Sequence, residues 1–291
     1  MIRFPEKIDL HIHSTSSDGT DPPEKILEKV KAGGLDLFSL TDHDAFRGCE
    51  TIRDLLKPGD PYFVTGIEFS CKDAQGKYHI LGYGYDLNAE SIRDIVTRAH
   101  SYRMDKLFER LDGLESEFRF SFPEEDIMKL LSLHNPGKPH IGNLMVQYGY
   151  AKDRDSAITQ YIDKIKIPNR YISPEDAIRA ILDGGGIPVL AHPSYGSGKE
   201  LYTGKDMEDR LTRLIGYGLQ GVEAFYSQLT DELVAELLGF AEKYDLYVTA
   251  GSDYHGTNKK NPLGETRLKN AAGGPKGLER FIEAALQKAF V

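Results

Sequence analysis

The chain predicts an α/β fold in which short strands alternate with helices around a mostly parallel sheet, open or closed into a barrel, with one helical insertion. Three observations predict it. Short apolar runs recur between turn residues, helix-periodic stretches follow most of them, and the alternation breaks once, between about Thr97 and Ile172. With 291 residues the chain can bury roughly 75% of its unfolded surface in one large core without a disulfide or partner.

In chain order, the first apolar run is Ile8 to Ile12. The stretch Pro22 to Ala32 places Ile26, Leu27 and Val30 on one helical face, starts with proline and stops at Gly33-Gly34. Strands are expected at Asp36 to Leu40, Tyr62 to Ile67 and Tyr78 to Gly84. Residues 98–172 then carry successive helical patterns, and Pro168-Asn169-Arg170 followed by the cap-like Ser173-Pro174-Glu175-Asp176 marks the return to the main fold. The domain reading is therefore a barrel-like part at 1–97, a helical insertion at 98–172 and a second barrel-like part at 173–291. Strands at Ile187 to Ala191, Gln220 to Phe225 and Leu246 to Ala250 alternate with helices at Asp206 to Tyr217, Asp231 to Lys243 and Lys276 to Ala289. An insertion between two βα units lands on the face where strand C-termini build active sites, so a lid is expected.

Composition narrows the function classes. No apolar run approaches the ~18 residues of a membrane helix. The opening MIRFPEKIDLHIH has no secretory apolar core, and a cytoplasmic protein is the expectation. Cys49 and Cys71 are too few for a disulfide framework and lack the paired spacing of a zinc ribbon. A net charge of -9 argues against a long basic groove along a nucleic acid but allows a small anionic substrate or one nucleic-acid end.

The chemistry lies at the strand ends. The first strand closes in Asp9-Leu10-His11-Ile12-His13, and the two-residue strand period aims both imidazoles the same way. A lone H-x-H is more often a packed or surface pair than a site, but more follows. Ser16-Ser17-Asp18-Gly19 brings a carboxylate, and the second strand runs into Thr41-Asp42-His43-Asp44, where Asp44 sits as a helix N-cap would. Glu68 closes the third apolar run, and His79 opens the next. His192-Pro193-Ser194 follows one later strand, and Ser252-Asp253-Tyr254-His255 follows another. Most of the chain's nine histidines thus gather with Asp18, Glu68 and Asp253, a costly cluster unless divalent cations neutralise the carboxylates and take the imidazole lone pairs. Imidazole with carboxylate suits Zn, Mn or Fe.

The segments D-L-H-I-H, S-D-G, L-T-D-H-D, G-I-E-F-S, Y-H-I-L-G-Y, L-A-H-P and G-S-D-Y-H-G, in that order, resemble the polymerase and histidinol phosphatase (PHP) family of metal-dependent phosphoesterases. The insert, with G-K-P-H-I-G-N-L at 137–144, resembles the branch containing nucleoside 3',5'-bisphosphate phosphatases and the 5'-to-3' exonuclease ribonuclease AM; Lys138 stands where that branch usually has arginine. The resemblance implies a distorted seven-stranded β/α barrel with two or three divalent metals. It implies that His11, His13, Glu68 and Asp253 hold a first metal, Glu68, His79 and His192 a second, and Asp18, His43 and His255 a third. Glu68 would bridge, and Glu68, Asp253 and His192 would be the catalytic residues.

The resemblance implies hydrolysis of phosphate esters of nucleotides or short 5'-phosphorylated oligonucleotides by a metal-bound hydroxide, since two close metals would lower the pKa of a shared water and favour in-line displacement at phosphorus. Lys138, His140 and Arg170, in the insert or at its return, are candidate substrate contacts beneath the lid. The rival readings are a histidinol-phosphatase-like enzyme, a C–N or C–O hydrolase of the metal-bearing barrel type, and a non-catalytic metal module. The order of ligands disfavours the second, and the completeness of the ligand set disfavours the third.

Overall fold

The computed structural model describes residues 4–168, 170–196, 200–269, 271 and 273–290; Asn169, at the expected return of the insert, lies outside them. The first half runs β1 (Ile8–Ile12), α1 (Pro23–Ala32), β2 (Leu37–Leu40), α2 (Arg47–Leu55), β3 (Tyr62–Phe63), β4 (Gly66–Asp73) and β5 (Gly76–Tyr83). Four helices follow, α3 (Glu90–Phe118), α4 (Glu124–Ser132), α5 (Lys138–Gln147) and α6 (Arg154–Gln160). The second half is α7 (Pro174–Asp183), β6 (Ile187–Leu190), α8 (Gly204–Tyr217), β7 (Gly221–Tyr226), α9 (Asp231–Lys243), β8 (Tyr247–Gly251) and α10 (Lys276–Leu286).

The strands form two sheets among the described residues, β1-β2-β3 and β4-β5-β6-β7-β8. Two seams join them. His13 N–H donates to Tyr254 O at 2.8 Å just beyond β8, and Asp44 N–H donates to Glu68 O at 3.0 Å between the end of β2 and β4. Helices pack outside, and the core between the layers holds Leu10, Ile12, Phe38, Phe69, Ile80 and Val222, all fully buried.

Several expectations need correction. The strand expected at Tyr62 to Ile67 is two strands, so the structure has eight strands in two sheets rather than seven in one. The chain breaks at Val64-Thr65 to shift from β2 to its new partner. Gly66 permits the crossing: a Cβ there would lie 2.1 Å from Ser39 Oγ and 2.4 Å from Leu40 O. Nor does this strand stop at Glu68. It continues to Asp73 and turns through Ala74-Gln75 into β5, so β4 pairs antiparallel with β5 and β5 antiparallel with β6, while β1-β2, β2-β3, β6-β7 and β7-β8 are parallel. A two-residue connection can only make a hairpin. Because β5 is reversed, its beginning, with His79, lies at the same end as the C-termini of the parallel strands β6, β7 and β8. Finally, α10 stops at Leu286, and Phe290 N–H donates to Phe63 O at 2.7 Å, covering β3.

No helix among the described residues is long and apolar enough to cross a membrane. The longest, α3, runs unbroken through 97/98. Its first turns place Ile92, Ile95 and Ala99 in the main core, whereas Leu107 and Leu114 join a second core with Leu130, Ile141, Met145 and Ile162. At about 1.5 Å per residue the helix is long enough to belong to both. Arg119, in the left-handed region at φ 61°, ends it. The chain re-enters the main core at Ile172, and Ser173 caps α7 by accepting Asp176 N–H at 3.0 Å.

Candidate metal centre

Asp9, His11 and His13 occupy alternate positions of β1 and its continuation, and all three are fully buried on its inner face. Glu68 comes from β4 and His79 from β5, while His43, His192, Asp253 and His255 lie in the turns after β2, β6 and β8. All three of these turns hold a non-glycine residue at positive φ: Asp44 at 51°, His192 at 27° and Asp253 at 55°. Side chains other than glycine persist there only when their surroundings hold them. At Asp253 the holding contacts are Tyr254 N–H to His11 O at 3.3 Å and His255 Nδ1 to Asp253 O at 2.9 Å.

The sequence-predicted ligands converge on one point. Glu68 Oε2 lies 3.3 Å from His11 Nε2, 3.1 Å from His13 Nε2 and 3.1 Å from His43 Nδ1. Its Oε1 lies 2.8 Å from His79 Nδ1 and 3.1 Å from His192 Nε2. Asp253 Oδ1 is 3.6 Å from His11 and 3.4 Å from His13, and Asp18 Oδ1 is 3.3 Å from His255 Nε2. Three groups have donor atoms within 4.8 Å of one another: His11, His13 and Asp253; His43, Glu68 and His79; and His13, Asp18, His43 and His255.

Does a divalent cation fit? His11 Nε2, His13 Nε2, His43 Nδ1, His255 Nε2 and Glu68 Oε2 are buried without an aligned hydrogen bond. Buried polar atoms almost always have a partner, so five such atoms facing one another indicate a positive centre between them. The electrostatics agree. Burial opposes charge on Glu68, but His43, His79 and His11 outweigh it and hold its carboxyl well below the ordinary range. Burial likewise opposes charge on Asp253 and Asp18; Lys259 with His255 and His11 hold the first well down, and His255 with His43 the second. The imidazoles divide. Burial works against His13, but Asp253 and Glu68 raise it to about 9, while burial pushes His43 down to about 3. Protons on His11 and His13 thus stand where a cation would, and metal uptake must release them.

A supporting layer aims the ligands, and the sequence reading missed most of it. Glu223, on β7, accepts His11 Nδ1 at 2.8 Å and His192 N–H at 2.7 Å. This fixes the His11 tautomer with Nε2 inward. Asp42 accepts Ser14 N–H at 2.7 Å and Ser17 Oγ at 2.6 Å, tying the loop of Asp18 to the end of β2. Asp9, raised to about 6 by burial, accepts Ser252 Oγ at 2.6 Å and Gly264 N–H at 2.7 Å. Tyr226 donates to Asp253 Oδ2 at 3.1 Å. Gly251 leaves room for this layer, since a Cβ there would lie 2.2 Å from His11 Cβ and 2.5 Å from Glu223 Oε1. Glu223 sits at alternate spacing from Phe225 inside an apolar run, a buried acid that the strand pattern alone could have flagged.

Two cavities open from the cluster. One, about 330 Å³, is lined by His43, Glu68, His79, His192, Tyr195, Tyr226, Gln228, Asp253 and Lys259. The other, about 320 Å³, lies under the insert: His43, His79 and Asp18 form one wall, and Arg103, Lys106, Arg110 and Lys138 are on the other. Arg103, Lys106 and Arg110 are spaced i, i+3, i+7 along α3, one helical stripe, and the latter two are only 8% exposed. Lys106 stacks 3.8 Å from the centre of the Tyr171 ring, and burial, then Arg103, lowers it to about 7. That stripe was legible in R-M-D-K-L-F-E-R and was not read.

The predicted substrate contacts separate. Lys138 lines the insert cavity, with Nζ 3.0 Å from Asp163. His140 Nδ1 accepts Gly137 N–H at 3.1 Å and so caps its own helix. Arg170 is placed elsewhere, bound to Glu109 at 2.7 Å and Asp105 at 3.4 Å on α3; the long helix passes the return segment and captures it. Asp44 is not an N-cap either. At φ 51° it accepts Ser70 N–H at 3.0 Å and binds Arg103.

Fold and cluster together define a metal-dependent phosphoesterase. The PHP domain pattern matches residues 9–172, and the chain belongs to this family. It is similar to a phosphoribosyl 1,2-cyclic phosphate 1,2-diphosphodiesterase from Eggerthella lenta, 31% identical over 85% of this chain and 94% of that protein. It is also similar to a 3',5'-nucleoside bisphosphate phosphatase from Chromobacterium violaceum, 27% identical over 85% of this chain and 87% of that one. Among solved structures, a metal-dependent phosphoesterase from Bifidobacterium adolescentis superposes with a TM-score of 0.82, at 26% identity over 96% of both chains.

Proposed function

We propose that this phosphoesterase hydrolyses a small substrate carrying a second anionic group, a nucleoside 3',5'-bisphosphate or the 5'-phosphorylated end of a short RNA. One observation carries the reading: four cationic side chains of the insert face the metal cluster across a cavity of about 320 Å³. Arg103 and Lys138 already face Asp44 and Asp163, but buried cations such as Lys106 and Arg110 are costly, and a phosphate in the cavity would offset their charge. The volume suits a nucleotide-sized ligand rather than a polymer, in keeping with a net charge of -9. A phosphorylated sugar with a cyclic diester is the second reading, favoured by the 31% identical relative.

His11, His13, Glu68 and Asp253 would hold one divalent metal, Glu68, His79 and His192 a second, and Asp18, His43 and His255 a third. Bound there, Mn, Fe or Zn would supply Lewis acidity toward the phosphoryl group and lower the pKa of water. The chain's own residues do the rest. Glu223 holds a proton at His11 Nδ1 so that Nε2 stays a lone-pair donor. Tyr226 holds Asp253 by its outer oxygen. Arg103, Lys106, Arg110 and Lys138 bind the second anion, which orients the scissile ester over the cluster. We read β3 and β4 as one broken strand, which would make the two joined sheets a distorted ring of seven, and the helices that close over it, 98–172, as the lid.

The test is steady-state kinetics on nucleoside 3',5'-bisphosphate, 5'-phosphorylated short RNA, phosphoribosyl 1,2-cyclic phosphate, AMP and histidinol phosphate with Mn²⁺. The expected result is the highest kcat/KM among the first three. A clear preference for histidinol phosphate would overturn the reading.

A further inference from the structure

We propose that Lys259 is a catalytic residue whose ammonium contacts a non-bridging oxygen of the phosphoryl group being cleaved, in the cavity that opens on Glu68, His79, His192 and Asp253. The proposal rests on the phosphoesterase reading and adds a residue that none of the motifs above contains. Lys259 lies in the T-N-K-K stretch just after the last ligand, His255.

Three observations support it. Lys259 is the single lysine or arginine among the described residues lining the cavity that opens on Glu68, His79, His192 and Asp253. Its Nζ lies 2.5 Å from Asp253 Oδ2, the oxygen turned away from His11 and His13. An ammonium has three donors, so this pair aims the group along the cluster rim and leaves donors for a ligand. The side chain is 38% exposed, so an incoming substrate can reach it.

The loop that carries it is pinned. Asn258 N–H donates to His255 O at 3.3 Å and Asn258 Nδ2 to Asp18 O at 2.8 Å, while Thr257 N–H donates to Thr20 Oγ1 at 2.9 Å. Arg154, on α6 of the insert, donates to Asn258 O. An ordinary surface lysine has no such mounting. This one is fixed to the loop of Asp18, to the turn of His255 and to the lid at once.

In the hydrolysis, a water oxygen bonds to phosphorus as the P–O ester bond breaks. One water proton ends on the leaving alcohol and the other goes to solvent. Lys259 keeps its proton throughout. Its contribution is charge placed where the phosphoryl oxygens gain it, a charge-assisted contact of the kind that changes rates by about tenfold or more.

The experiment compares Lys259→Met and Lys259→Arg with wild type in the metal-loaded protein. Metal content is measured by mass spectrometry, inorganic phosphate binding by calorimetry, and turnover on p-nitrophenyl phosphate and a nucleoside bisphosphate. In Lys259→Met we expect unchanged metal content, phosphate binding weakened about tenfold, and kcat/KM lowered about tenfold or more on both esters alike. Lys259→Arg should recover a large part of each. Loss of metal would show that Lys259 only positions Asp253, and loss confined to the bisphosphate would move it to the second anion. Either result, or wild-type phosphate affinity, overturns the proposal. The binding measurement does not depend on turnover, so a wild-type protein inert toward all esters would sink the functional reading separately.

Discussion

The two walls of the cleft are built by opposite strategies. On the side of the sheets, the ligands ride on or just beyond strands whose backbones are hydrogen-bonded to neighbours, and Glu223, Asp42 and Asp9 clamp them from behind. On the insert side, Arg103, Lys106 and Arg110 project from α3, which joins the main core to a second one, and Lys138 from α5, which packs in the second core. The first wall is rigid and complete in itself. The second depends on how one long helix, α3, is held between two cores. On the proposed reading, the two joined sheets would fix the chemistry and the helices of 98–172 would set substrate choice.

The largest break in this comparison is Glu68→Ala. Glu68 meets five imidazoles, so the variant should lose at least one metal and nearly all turnover. Metal content and kcat equal to wild type would refute a bridging role. Next comes Glu223→Gln, which keeps the shape but removes the carboxylate from His11 and His192. Metal affinity should fall about 10–100-fold, measured by competition with a chelator. An unchanged affinity would mean that the clamp is packing only.

On the insert side the effects should be smaller and selective. Arg103→Ala and Lys138→Ala should each lower kcat/KM about tenfold for a bisphosphate, less for a monophosphate, with metal content constant. Arg170→Ala should match wild type, because that guanidinium does not line the cavity and is held on α3 by Glu109 and Asp105. Equal losses on both substrates would erase the division between the walls.

The smallest effect concerns stability. Burial lowers Lys106 to about 7 in the folded protein, whereas unfolded it titrates near 10.4. Between these values the unfolded chain binds more protons, so stability rises with pH across that window, and the full penalty of the buried charge is felt below about pH 7. Lys106→Met should therefore melt at a higher temperature than wild type at pH 6, with the gap narrowing toward pH 10, while binding the bisphosphate more weakly. A gap independent of pH would show that Lys106 is neutral or solvated.

Local sequence sufficed wherever one strand or turn settles the matter. The alternation of Asp9, His11 and His13 aims three side chains inward whatever surrounds them. Helices such as Asp231 to Lys243 carry their own caps and apolar stripe, and the structure reproduces those bounds. The gathering of His43, Glu68, His79, His192, Asp253 and His255 was readable because each lies in or just beyond an apolar run, with Asp18 in the loop after the first, and strand ends share one face of such a fold. Three matters needed the tertiary structure. Whether the run at Tyr62 was one strand or two depended on the close crossing at Gly66, a contact between residues far apart in sequence. That Arg103, Lys106 and Arg110 face the cluster while Arg170 does not depended on the path of α3 between two cores. The pairing of Lys259 with Asp253 and of Glu223 with His11 depended on which loop and which strand end met across the sheet. Periodicity determines which way a side chain points from its own element, but what it meets there is set by packing against the rest of the chain.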